Sequence, residues 1–153
     1  MTQRPRSQQR GPGLGVLAAR LLFAVQDELY ARLEQAGHGE VTRPHGLVIA
    51  HLDEAGTGLS ELARRAGRHK QIVGRVIDEL EALGYVERQG VPGDRRAKIV
   101  VPTARGRALM CLSDEIIDDI ERRQAQLLGA KAYQQFRQSL QAVVDSMTSV
   151  TRT

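Results

Sequence analysis

From Leu14 the chain repeats apolar side chains three or four residues apart: Leu14, Leu17, Leu21, Val25, Leu29 and Leu33. At about 100° per residue that spacing predicts one stripe of a long helix. Val16, Phe23 and Tyr30 make the same helix apolar on a second side, which calls for a second partner surface. Thr42 can cap a following helix, "RPHGLVIAHLDEA", whose Pro44 suits a first turn and whose end is expected at the Gly56 to Gly58 turn. Next come two short helical patterns, "LSELARRAG" and "HKQIVGRVIDELEALG", then a hairpin from Tyr85 to Val101 with β-branched runs on either side of a glycine-rich tip. A helix opening at Thr103 carries Leu109, Leu112, Ile116 and Ile120. A last one, from about Ala130 to Met147, spaces Tyr133, Phe136, Leu140, Val143 and Met147 like a heptad, as helices that pack on other helices do. The order predicts a mainly α (α+β) winged helix-turn-helix with a two-stranded β wing.

Charge sharpens this picture. Between Leu59 and Arg107 there are 11 Lys/Arg against 6 Asp/Glu, and residues 1–12 add Arg4, Arg6 and Arg10, whereas the remainder is acidic. A basic middle on an acidic scaffold fits a polyanion-binding module. The hairpin tip "GVPGDRRAK" places Arg95, Arg96 and Lys98 around Asp94, an unusual load for an ordinary turn.

In "ELARRAGRHKQIVGRV" three positions follow helix-turn-helix logic. Ala63 is small enough for two helices to cross closely, Gly67 can adopt the left-handed conformation that ends the first, and Val73 plugs the angle between them. On the second helix Ile72, Val73, Val76, Ile77, Leu80 and Leu83 fall within an arc of about 140° and are expected to face inward. Lys70, Gln71, Gly74, Arg75 and Asp78 lie opposite, with the acids Asp78, Glu79 and Glu81 kept to the later turns. A recognition helix enters the major groove by its N-terminal end, so that distribution keeps acids from the phosphates.

The stretch "LSELARRAGRHKQIVGRVIDELEALGYVER", then "DRRAK", then "TARGRAL" resembles the MarR family of winged helix-turn-helix transcriptional regulators. The matching pattern includes Asp94-x-Arg96 at the wing and Thr103-x-x-Gly106 opening the next helix. His69 departs from the usual Ser/Thr helix cap, Gly74 leaves a gap on the groove-facing side, and Pro102 replaces a leucine. The resemblance implies a homodimer bound to double-stranded DNA at a pseudo-palindromic operator, usually as a repressor responsive to a small aromatic or amphipathic effector. It implies His69, Lys70, Gln71, Gly74 and Arg75 in the major groove and Asp94, Arg95, Arg96 and Lys98 at the wing, with Arg96 the minor-groove reader and Asp94 holding it. Arg64 or Arg68 is a further candidate for phosphate contact. The expected organisation is a disordered basic tail over 1–12 and a single domain over 13–153. Within it, 59–107 is the DNA-binding lobe, and 13–36 and 108–150 carry the dimerisation helices. A helical interaction protein that kept the fold without binding DNA is the alternative.

Other chemistry is poorly supported. His45 and His51 are six apart, which does not stack them on one helix face, so surface or groove-lining histidines are expected rather than a metal site. Asp114/Asp118 and Glu115/Asp119 read as a solvated helix face. Cys111, the single cysteine, is expected to be buried or half-buried beside Met110 and Leu112. No nucleophile–base pair or phosphate-cradling glycine loop is present, so neither an enzyme nor a cofactor is expected. With no export signal and no membrane-length apolar run, the expected compartment is the cytoplasm.

Overall fold

The structure is a computed structural model that describes residues 11–91 and 93–150, apart from the side chains of Arg95, Arg96 and Val150. The basic tail predicted over 1–12 therefore lies almost wholly outside the described residues. Among the described residues six helices and three strands follow in order: α1 (Leu14–Gln35), α2 (Arg43–Ile49), β1 (Thr57–Gly58), α3 (Leu59–Ala66), α4 (Lys70–Ala82), β2 (Val86–Val91), β3 (Asp94–Pro102), α5 (Ala104–Leu128) and α6 (Ala130–Val150). The chain divides after Asp114 into two compact units, so α5 begins in the first and ends in the second.

In the first unit the core forms where the inward faces of α2, α3 and α4 meet the sheet. Val48, Ile49, Leu62, Val73, Val76, Ile77, Leu80, Val86 and Val100 are all buried there. Leu33, the last residue of the predicted α1 stripe, is buried too, whereas Leu14, Val16, Leu17, Leu21, Leu22 and Phe23 are exposed. In the second unit Phe136, Val143, Val144 and Met147 are likewise exposed along α6.

Helix α2 stops at Ile49, well short of the span its pattern predicts. Two captures explain this. The Asp53 N–H is taken by Thr57 Oγ1 at 3.0 Å and so cannot continue the helix, and the His51 carbonyl is drawn to Arg65 at 3.1 Å. The expected Gly56–Gly58 turn is in part a strand, because Thr57 and Gly58 pair antiparallel with Val100 and Ile99. The sheet is therefore three-stranded, in the order β1-β3-β2.

The turn between α3 and α4 is as the sequence requires. Gly67 has φ 60° and ψ 36°, the left-handed C-cap of α3, and Ala63 and Val73 are buried on either side of it. At the far end of α4 the chain is fastened to α5. Thr103 Oγ1 donates to the Gly84 carbonyl at 2.7 Å and accepts the Gly106 N–H at 3.1 Å. A Cβ on Gly106 would lie 2.0 Å from the Tyr85 carbonyl oxygen, so only glycine permits this approach. The Thr-x-x-Gly pair is thus a structural clasp.

Two expectations fail. His45 is 4% exposed rather than on the surface. Its Nδ1 accepts the Thr42 N–H at 3.1 Å, which leaves the proton on Nε2 to be donated to Glu79 of α4 at 2.9 Å. Cys111 is exposed, because it lies two residues past buried Leu109 and so falls on the opposite side of α5.

Candidate nucleic-acid interface

Helix α4 presents its first two turns to solvent. His69 is the N-cap and makes no side-chain cap hydrogen bond, and the first turn contains no acid. Lys70, Gln71 and Arg75 are exposed, with Gly74 half-buried between them. These five predicted residues therefore share one stretch of helix surface.

The partners of the basic residues separate two populations. Arg64 donates two hydrogen bonds to Glu61, at 2.6 and 2.8 Å, and Arg65 pairs with both Glu61 and Asp53. The hydrogen bonds from Arg64, then Arg65, draw the Glu61 carboxyl down to about 2. Arg88 reaches back from β2 to Asp78 at 2.5 Å and to Glu81, holding its guanidinium above the usual range. Those cations are committed within the chain. Among the described residues Arg68, Lys70, Arg75 and Lys98 form no intramolecular ion pair, and all four are exposed. The sequence left Arg64 and Arg68 as equals; the structure separates them, because only Arg64 has an acid three residues before it.

The acids of α4 are also accounted for. Asp78 and Glu81 face Arg88, and Glu79 accepts from His45. The carboxylates on the later turns are therefore hydrogen-bonded to the body of the unit, with Arg88 offsetting part of their charge.

In the wing, β2 and β3 pair from Val86↔Pro102 to Gly90↔Lys98, then jump to Val91↔Asp94. The jump leaves Arg95, Arg96 and Ala97 opposite no residue of β2, a bulge near the tip. Asp94 closes it by accepting the Ala97 N–H at 3.2 Å. The backbone of the basic residues thus belongs to an irregular strand end rather than to the turn itself. The side chains of Arg95 and Arg96 lie outside the described residues, and Lys98 is exposed at the base of the bulge.

Sequence periodicity misplaced one residue here. Ile72 was expected inward but is 51% exposed. The buried set Val73, Val76, Ile77 and Leu80 spans only about 100° of the helix, and Ile72 falls outside its rim.

A tight helix pair, a second helix exposing its N-terminal turns, and a bulged β hairpin define a winged helix-turn-helix. A sequence model of the MarR family matches residues 40–97, which include α2, α3, α4, β2 and most of the wing tip. The HTH-type transcriptional repressor Rv2887 of Mycobacterium tuberculosis is 29% identical over 129 residues, covering 84% of this chain and 91% of the relative. The solved transcriptional regulator PA3341 aligns with a TM-score of 0.72 at 26% identity, over 90% of this chain and 99% of that one. The Staphylococcus aureus MepR–DNA complex shares the fold at a TM-score of 0.72 and 20% identity, over 88% of this chain and 98% of that one. Over residues 40–97 the chain is thus similar to the MarR family, and its fold is that of solved winged helix-turn-helix regulators.

Proposed function

We propose that this protein is a sequence-specific DNA-binding transcriptional regulator, a ligand-responsive repressor acting as a homodimer on a pseudo-palindromic operator. The observation that carries the reading is the division of its cations. Within the lobe, Arg64, Arg65 and Arg88 are tied to acids, while Arg68, Lys70 and Arg75 at the start of α4 and Lys98 in the wing remain available to phosphates. In this reading Gln71 and Arg75 face base edges, Lys70 and Arg68 position the helix, and Arg96, steadied by Asp94, enters the minor groove. Rv2887 is named a repressor and MepR was crystallised on DNA, which supports the same assignment.

The homodimer rests on the uncovered large apolar side chains of α1 and α6, surface of the kind that marks a protein–protein contact. Light scattering at micromolar concentration checks it: a monomer would overturn it. For the effector, a groove between α1 and α2 lined by Tyr30, Val41, Asp27 and Arg43 offers aromatic, aliphatic and charged groups suited to an amphipathic molecule.

A salt titration of binding to the chain's own upstream DNA tests the central reading. The three phosphate-facing cations per protomer, Arg68, Lys70 and Lys98, give about six phosphate contacts for a dimer, hence a log–log slope of about −5. A flat slope would return the chain to the alternative of a helical interaction protein.

A further inference from the structure

Ile72 stands on α4 with half its surface in water. Its backbone N–H bonds to the His69 carbonyl, so it belongs to the first turn of the helix. Its side chain borders the open angle between α3 and α4, together with Ser60, Ala63, Arg68 and His69. Arg75 follows one turn later along the same side. A protein partner that covered Ile72 would have to desolvate Arg68, and among the described residues no acid pairs with it here. The surrounding charge instead suits a polyanion, and the ligand must also offer an apolar spot within reach of the first helical turn.

Duplex DNA combines both features. Phosphates flank a major groove wide enough for a helix, and each thymine places a C5-methyl group on the groove floor. RNA duplexes offer neither, since their major groove is narrow and uracil lacks the methyl. We infer that Ile72 is a specificity-determining residue that packs against a thymine methyl in each half-site of the operator. It would thereby select T at a position that the hydrogen-bonding side chains Gln71 and Arg75 do not read. The inference rests on the DNA-binding reading above.

The test replaces single thymines of an operator, selected from random DNA by the wild-type full-length protein, with uracil. That exchange removes only the methyl and keeps the base pair. For wild type, one thymine per half-site should respond, with a loss of about four-fold per half-site on removal of one buried methyl. Ile72→Ala should bind the thymine operator as weakly as wild type binds the uracil operator, and should show no further loss on uracil. Ile72→Val, which keeps the β-branch, should retain part of the response. Because Ile72 is exposed, these variants should keep the wild-type circular dichroism spectrum. If every thymine-to-uracil effect is the same in Ile72→Ala as in wild type, or the selected motif has no responsive thymine, the inference falls while the DNA-binding reading stands. If wild type selects no motif at all, both fall.

Discussion

Replacing Gly74 with alanine separates what the fold needs from what the ligand needs. Gly74 is the fifth residue of α4, in ordinary helical conformation without a positive φ. A glycine inside a helix costs roughly 0.5–1 kcal/mol relative to alanine, through the backbone freedom lost on folding. Nothing inside the unit requires it. A Cβ built at Gly74 would meet only Leu59 Cδ2, at 4.0 Å, an ordinary van der Waals contact. Gly74→Ala should therefore stabilise the free protein by about 0.5–1 kcal/mol, raising Tm by roughly 1–4 °C for a chain of this length. Urea and thermal melts at equal protomer concentration read this directly, the concentration being held because dimerisation is linked to folding. Operator affinity should move the other way. If the helix backbone approaches the bases at Gly74, a methyl group there overpacks the contact by about 1–3 kcal/mol, a loss of roughly five- to 150-fold. A variant that is both more stable and fully competent in binding would show that the missing side chain serves no contact. A less stable variant would refute the description of its surroundings.

The remaining expectations concern base readout, the clasp and one buried phenol. Gln71→Ala should broaden the motif recovered from random DNA, while Lys70→Ala should weaken all sequences alike, and recovery of an unchanged motif with Gln71→Ala would overturn the assignment. Gly106→Ala, whose Cβ would press on the Tyr85 carbonyl, should cost about 3 kcal/mol in a urea melt, and a wild-type midpoint would contradict the close approach. Burial, then the hydrogen bond to Glu40, push the Tyr85 phenol up to about 12. An unfolded tyrosine ionises near pH 10, so this contribution is fully present below about pH 10 and is lost as pH rises towards about 12. Phenolate absorbance of the native protein should show that late ionisation, and a Tyr85 titrating near pH 10 would refute it.

Local pattern made much of this legible. The burial of Val73, Val76, Ile77 and Leu80 follows from helical spacing, and the left-handed Gly67 follows from its place between two short helices. What stayed hidden depends on partners distant in sequence. His45 is buried because Glu79, 34 residues later, accepts its Nε2–H, and no periodicity encodes that meeting. The two residues of β1 are too few to alternate, and they exist only because β3 passes beside them. The exposure of Ile72 reflects how narrow the buried arc of α4 is, which the spacing alone overestimates. The bulge at Arg95–Ala97 is invisible because a register jump leaves no mark in composition.

The ties on α4 are unevenly placed along its length. His45 holds Glu79, Arg88 holds Asp78 and Glu81, Arg105 donates to the Leu83 carbonyl at 2.6 Å, and Thr103 donates to the Gly84 carbonyl just beyond. Among the described residues no such inter-element side-chain bond holds Lys70, Gln71 or Arg75. Mechanically the helix is fastened by polar ties at its root to three neighbouring elements, while its tip is held by the apolar packing of Val73 beside Ala63. A small tilt imposed at the root by α2 or by the start of α5 is carried to the tip, where a displacement of an ångström is enough to break a hydrogen bond. The same root should be the last part of the helix to exchange its amide protons and the tip the first.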